Sequence, residues 1–224
     1  MVPYRQLSIF GIIAVSAAVF ALEQNASTPL AQVYGAIPSA IRDACGKLAD
    51  GNLNLSAVRT LTQPLTAIFL HADVEHILFN MVFLWVFGYV TSQVLGQWWA
   101  LGIFLISGVC GNILQVCLNL DSAIPIVGAS GAISGLAGTY FGLATSWQLR
   151  WPDVWPLAHP IPPLQLGAFA LLGFLGDVYW LTNHGHGIAY GAHVGGFLSG
   201  LAIAALLATV YRTATAFERA GRKH

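Results

Sequence analysis

The stretch IPIVGASGAISGLAG, residues 124–138, carries a small side chain at nearly every other position. Gly131 and Gly135 are four residues apart, so on a helix they share one face. Small residues at this spacing let two membrane helices approach each other closely. The stretch therefore predicts a tightly packed membrane helix over about 129–147, in which Ser130 is either one more small packing residue or a nucleophile.

The composition of the whole chain is also typical of a membrane protein. Of 224 residues, 56% are hydrophobic and 8% are charged, and the mean hydropathy is +0.69. A soluble domain normally carries about 25% charged residues, so we expect a polytopic protein embedded in a lipid bilayer. Nine lysines and arginines balance nine aspartates and glutamates, and this neutral charge predicts no nucleic-acid partner.

Six apolar segments are long enough, or nearly so, to cross a membrane as helices. They lie at about 6–22, 74–92, 98–118, 129–147, 164–181 and 191–211. Each approaches the ~20 residues that cross ~30 Å of hydrocarbon. The first resembles a signal peptide because Arg5 precedes it, but no clear small-x-small cleavage site follows it. We therefore predict an all-α bundle of six transmembrane helices, with residues 1–224 forming a single domain.

The positions of lysine and arginine predict the orientation of this bundle. Six of the nine lie in the tails and the even-numbered loops: Arg5, Arg150, Arg212, Arg219, Arg222 and Lys223. The other three lie in one long loop at about 23–73: Arg42, Lys47 and Arg59. Cytoplasmic segments carry the excess of positive charge, so both termini are expected in the cytoplasm, with the cell (inner) membrane as the host. The long loop is expected to hold short helices in the outer interface.

Polar residues cluster near the outer ends of the three spans that descend into the membrane. His71, His76 and Asn80 open the second span, Ser130 opens the fourth, and His193 opens the sixth. Polar groups in hydrocarbon are costly, so each is a candidate for function. The shared depth of the three clusters is difficult to attribute to packing alone. His76 and Asn80, four residues apart, could still serve only as hydrogen-bonding residues between helices.

The fourth and sixth spans are predicted to be neighbours. Two sets of small residues on the sixth span repeat the four-residue spacing of the fourth: Gly191, Gly195 and Ser199, and Gly196 and Gly200. If the two helices pack together, Ser130 and His193 meet at equal depth, and a neutral imidazole beside a hydroxyl can activate a serine. Ser134 is a rival nucleophile, but it lies one turn deeper, roughly 6 Å below Ser130.

Metal and cysteine chemistry are weaker interpretations. HADVEH, residues 71–76, has one residue too many for the H-x-x-E-H zinc motif. His184 and His186 could bind a metal in an outer loop, but we expect no metal and no cofactor. Cys110 and Cys117 are roughly 10 Å apart along one helix, too far for a disulfide. A third cysteine, Cys45, stands alone in a loop, and all three are expected to be inert.

The sequence resembles the rhomboid intramembrane serine proteases. The resemblance covers all six spans and rests on three motifs in order: HILFN at 76–80, GASG at 128–131, and GAHVGG at 191–196. It implies a six-helix rhomboid-like bundle that cleaves transmembrane protein substrates in or near their membrane-spanning segments, using a serine and a histidine without a metal. The motifs leave the substrate, the cleavage site and the oligomeric state open.

The resemblance also assigns roles to individual residues by matched position. It implies Ser130 as the nucleophile, His193 as the general base, and an oxyanion hole formed by His76, Asn80 and the Ser130 amide. Gly128 matches the first glycine of the family motif, and His71 matches a histidine found just before the second span. Asp177 is expected to face water or to cap the fifth span, leaving a catalytic dyad.

Two positions depart from the family pattern. Thr62-Gln63 stands where a Trp-Arg pair is common in the first outer loop, and Ser92 stands where the second span often has a glutamate. Both lie outside the catalytic set, so they affect the anchoring of the loop and the inner end of the span. The alternative functions are a catalytically inactive relative that binds transmembrane clients, and a small transporter or channel. The latter needs polar residues through the full membrane depth, and here they concentrate in the outer third.

Overall fold

The described part of the chain is built from helices. The computed structural model describes residues 6–52, 54–152, 154, 156 and 160–221, with side chains as far as residue 210. Within these residues there are ten α-helices and no strand, and Ala36 and Ile126 form an isolated bridge. The helices are α1 (Leu7–Asn25), α2 (Leu30–Tyr34), α3 (Pro38–Ala49), α4 (Leu55–Leu61), α5 (Gln63–Thr66), α6 (Val74–Leu95), α7 (Gln97–Leu118), α8 (Ser130–Ser146), α9 (Pro163–Thr182) and α10 (Tyr190–Gly221).

Five helices have the length and composition of membrane spans, namely α1, α6, α7, α9 and the Tyr190–Val210 part of α10. Each overlaps one of the predicted apolar segments. The remaining predicted segment, 129–147, forms α8, which has 17 residues and is about 25 Å long at 1.5 Å per residue. Most of α8 is buried, because it packs against α6, α7, α9 and α10. The all-helical class is therefore confirmed, and the count of six spans stays a prediction.

The long segment before α6 folds into the predicted short helices, α2 to α5, followed by a 3₁₀ turn at Ala67–Phe69. Cys45 lies within α3, so its expected placement in a loop is wrong. Gln63 is 6% exposed; its Oε1 accepts from the Ile37 N–H at 3.3 Å, and its Nε2 donates to the Val33 carbonyl at 3.3 Å. Asn112 of α7 donates to the Pro64 carbonyl at 2.8 Å. Gln63 and Asn112 thus anchor this segment without the Trp-Arg pair.

The predicted partnership of the two glycine-spaced helices is confirmed. A Cβ added to Gly196 would overlap the carbonyl oxygen of Gly131, and one added to Gly200 would overlap that of Gly135. Thr139 ties the same pair of helices together, since its Oγ1 lies 2.9 Å from the Gly135 carbonyl and 3.0 Å from the Gly200 carbonyl. The backbones of α8 and α10 are in direct contact at these positions, because glycine has no side chain to separate them.

The C-terminal end of α6 accommodates a serine where the rhomboid pattern often has a glutamate. Ser92 is fully buried, and its hydroxyl donates to the Tyr89 carbonyl at 2.8 Å. One turn earlier, a Cβ added to Gly88 would lie 2.7 Å from Cδ1 of Ile9 in α1. Helices α1 and α6 therefore approach each other closely here. The serine hydroxyl is satisfied within its own helix, as is common for this residue in apolar surroundings.

Candidate active site

Ser130 is the first residue of α8, at a sharp change in chain direction. Gly128, two residues earlier, has φ +125°, which an L-amino acid with a side chain rarely adopts. The Gly128 N–H donates to the Ala67 carbonyl at 3.0 Å, which fixes this turn to the 3₁₀ turn at Ala67–Phe69. The residue preceding α8 is Ala129, and no side chain caps the helix. The first N–H groups of a helix have no partner within it, so they stay available as donors beside Ser130.

His193 lies in the first turn of α10 and faces Ser130. Its Nε2 is 2.8 Å from Ser130 Oγ, and its Nδ1 is 3.0 Å from Oδ1 of Asp177. The imidazole and the carboxylate are 17% and 21% exposed. If the imidazole proton is on Nδ1, the Nδ1–H donates a hydrogen bond to the Asp177 carboxylate. The unprotonated Nε2 can then accept the proton of the Ser130 hydroxyl.

The contact between Asp177 and His193 corrects one expectation. Asp177 is only 21% exposed and does not cap α9; its carboxylate accepts a hydrogen bond from a ring nitrogen on the neighbouring helix. The sequence signal was its place near the outer end of the fifth span, at the depth of His193. A second neighbour, Tyr190, had no such signal, and its ring lies edge-on to His193 with centroids 6.3 Å apart.

His76 is positioned by the start of α6 and lies close to Ser130. Asp73 caps this helix, accepting the His76 N–H at 2.7 Å. The His76 Nδ1 accepts from the Ala72 N–H at 3.3 Å, so in the neutral ring the proton is on Nε2. A Cβ added to Gly128 would lie 2.8 Å from His76 Nε2 and 3.6 Å from Ser130 Oγ. Because residue 128 is a glycine, the space between the His76 Nε2–H donor and the Ser130 hydroxyl stays open.

Asn80 lies one turn further along α6 and is 4% exposed. Its Nδ2 donates to the His76 carbonyl at 2.8 Å, while its Oδ1 is buried without a partner. The hydrogen bond stays within one helix, so its geometry gives no support to a role in joining helices. No hydrogen bond among the described residues joins Asn80 to Ser130 or His193, and its place in an oxyanion hole stays a prediction.

His71 supports the His76 ring from the side. It is 1% exposed, and its ring meets that of His76 edge-on with centroids 5.2 Å apart. Burial, followed by the charge of His76, lowers the pKa of His71 to about 4. His71 is thus neutral near pH 7, and its uncharged ring packs against the ring of His76.

The alternative nucleophile and the alternative metal site gain no support from the geometry. Ser134 is partly exposed on α8, and no described hydrogen bond joins it to His193. His184 and His186 are exposed beyond the end of α9. Among the described residues, no three histidine, cysteine, aspartate or glutamate side chains are grouped to hold a metal. The three cysteines are exposed and unpaired.

The arrangement has the parts of a serine hydrolase. A hydroxyl faces a ring nitrogen, the opposite ring nitrogen faces a carboxylate, and a histidine N–H and a free helix N-terminus lie on the other side of the hydroxyl. A base within 2.6–3.2 Å of a serine, oriented by a third group, is the general requirement for an activated nucleophile. The donors on the opposite side could hold an oxyanion.

Comparison with known proteins points to one family. The model of the Rhomboid domain matches residues 58–210, which run from α4 into α10. The chain is 33% identical over 144 residues to "RHOMBOID-like protein 6, mitochondrial" and 34% identical over 149 residues to "RHOMBOID-like protein 7", both from Arabidopsis thaliana. These matches cover 64% and 66% of the chain and 42% and 44% of the two proteins, so the chain spans less than half of their length.

A bacterial relative carries the word protease in its name. "Rhomboid protease GluP" of Bacillus subtilis (strain 168) is 37% identical over 82 residues, which is 37% of this chain and 16% of that protein. The family model covers well over half of the chain, and five apolar helices are long enough to cross a bilayer. The chain belongs to the rhomboid family of integral membrane proteins.

Proposed function

We propose that this protein is an intramembrane serine endopeptidase that cleaves transmembrane protein substrates in or near their membrane-spanning segments. The observation that carries the proposal is the 2.8 Å contact between Ser130 Oγ and His193 Nε2, across two helices in backbone contact. Membership of a family with a relative named as a protease adds support.

In the proposed mechanism, His193 takes the hydroxyl proton as Ser130 attacks the scissile carbonyl. The resulting oxyanion accepts hydrogen bonds from His76 Nε2, the Ser130 amide and Asn80. His193 then protonates the leaving amine, and an ester joins the substrate to Ser130. Water, deprotonated by His193, hydrolyses this ester and returns the hydroxyl. The residues that carry out these steps are all in the chain, so the mechanism uses no cofactor.

The proposed setting is a bundle of six spans in the cell (inner) membrane. Helix α8 is the fourth span, and both termini lie in the cytoplasm. At about 25 Å, α8 is shorter than the ~30 Å hydrocarbon core. Its neighbours surround it, so its outer end can stop below the surface, where Ser130 begins the helix. Water would reach this depth from the outer side, where His184 and His186 are exposed.

The orientation can be tested with single cysteines in a background lacking Cys45, Cys110 and Cys117. An impermeant thiol reagent added from outside should label a cysteine at position 47 and spare one at position 222. The opposite pattern would overturn the proposed orientation, and with it the assignment of Ser130 to the outer third.

The activity is tested by incubating the purified protein with a labelled single-span substrate and, separately, with a fluorophosphonate probe. We expect cleavage and labelling, both abolished in Ser130→Ala and both retained in the matched Ser134→Ala variant. Label retained in Ser130→Ala, or lost in a folded Ser134→Ala, would contradict the choice of nucleophile. A folded wild-type protein that is neither labelled nor able to cleave, but captures the substrate, would be the inactive client-binding relative.

A further inference from the structure

Asp177 is the acidic side chain of the site, and its contacts are specific. It lies on α9, while its hydrogen-bond partner His193 lies on α10, so the 3.0 Å contact crosses between helices. The carboxylate is 21% exposed, and among the described residues no lysine or arginine pairs with it. The two nitrogens of one imidazole are thus divided between Asp177 and Ser130.

We propose that Asp177 is a positioning residue that orients His193 and fixes its tautomer, which makes the expected dyad a Ser–His–Asp triad. This inference rests on the proposed protease function. A neutral imidazole carries its proton on either nitrogen, and only the Nδ1–H form presents Nε2 as an acceptor to a serine hydroxyl. A carboxylate beside Nδ1 favours that form and stabilises the imidazolium that develops as Ser130 loses its proton.

The cost of removing the carboxylate can be bounded. Neutralising the aspartate of a buried serine-protease triad lowers kcat by ~10⁴-fold. Asp177 retains some exposure to solvent, and water can partly replace its hydrogen bond, so we expect a loss of at least about 100-fold in Asp177→Asn. The substrate does not contact Asp177 in this scheme, and KM should stay within about threefold.

Four measurements test the assignment on the full-length protein: kcat and KM for a single-span substrate, the rate of fluorophosphonate labelling, and the melting temperature. Asp177→Asn should lower kcat and the labelling rate together, with little change in melting temperature. Asp177→Glu, which keeps the charge, should recover part of both rates. Asp121→Asn removes an exposed carboxylate whose ion pair is with Arg42 and not with His193, and it should leave every value unchanged.

Full kcat in a folded Asp177→Asn would overturn the inference and leave a dyad. A lowered melting temperature with normal turnover per folded molecule would make Asp177 a structural residue only. Histidine ¹⁵N NMR, with His193 assigned by its own substitution, reads the tautomer without any turnover. We expect a protonated Nδ1 in the wild type and a mixed population in Asp177→Asn. A wild-type protein with a protonated Nδ1 but no cleavage would contradict the proposed protease function and leave the role of Asp177 standing. An identical spectrum in Asp177→Asn would refute the role of Asp177.

Discussion

Substituting Gly196 with alanine tests whether backbone contact sets the geometry of the site. The added Cβ would overlap the carbonyl oxygen of Gly131 and would lie 2.8 Å from its carbonyl carbon. Carbon atoms in contact sit about 3.5–4.0 Å apart, so α8 and α10 must separate locally by roughly 0.7 Å or more. Added to the 2.8 Å between Ser130 Oγ and His193 Nε2, that movement gives about 3.5 Å, at which the hydrogen bond is lost.

Two quantities should change in Gly196→Ala. Labelling of Ser130 by a fluorophosphonate should slow by about 100-fold, since a 1 Å misplacement of reacting groups costs that much. The free energy of unfolding should fall by about 1–3 kcal/mol, the usual cost of overpacking. A backbone carbonyl cannot rotate away as a side chain can, so the strain falls on the helix separation. Labelling kinetics and unfolding in SDS, measured on one preparation, give both values.

Gly173→Ala is the matched control. No atom lies within 4 Å of a Cβ at Gly173 in α9, so alanine there adds helix propensity, worth about 1 kcal/mol, and no strain. Its labelling rate should equal that of the wild type. Wild-type labelling and stability in Gly196→Ala would refute the idea that contact between the two glycine-lined faces holds Ser130 and His193 at bonding distance.

Three further substitutions probe the side of the site formed by α6. Unfolded His71 protonates near pH 6.5 and folded His71 only near 4, so stability should fall as pH drops below about 6.5, by at most about 3 kcal/mol. His71→Phe should show a shallower fall between about pH 7 and pH 5; an unchanged slope would contradict this. Asn80→Ala should lower kcat by about 10²–10³ with little change in KM, whereas intact kcat with a lower melting temperature would remove Asn80 from the site. Gly128→Ala should slow labelling of Ser130 and lower stability, because its Cβ would lie 2.8 Å from the His76 ring at φ +125°; wild-type values for both would contradict the proposed fit.

The sequence predicted the pairing of α8 and α10 because that pairing depends on local spacing. Glycines four residues apart define one face of a helix whatever the surrounding fold, and Gly131 and Gly196 meet at that face. Once the two faces are in contact, depth alone brings Ser130 to His193. The hydrophobic segments could also be predicted from the sequence, because the thickness of the bilayer sets the length of a membrane span.

The contact of Asp177 could not be obtained in the same way. Hydropathy gives the depth of a residue on α9 but not the rotation of that helix about its axis. On one rotation Asp177 faces water, and on another it faces His193. Packing of α9 against α8 and α10 decides between them, and that packing uses irregular side-chain contacts without a short repeat. The orientation of the Asn80 amide, bonded to the His76 carbonyl, was hidden for a similar reason.

The uncapped start of α8 is informative when considered with the proposed chemistry. A serine, threonine or aspartate before a helix usually contributes about 1 kcal/mol by accepting one of its free N–H groups. Here the preceding residue is Ala129, and no side chain of the described residues takes that place. The free N–H groups carry the positive end of the helix dipole. An oxyanion formed at a carbonyl attacked by Ser130 would lie beside donors that are already oriented, so little reorganisation is needed when its charge develops. A capping side chain at position 129 would compete for the same donors, which gives a physical reason for alanine there.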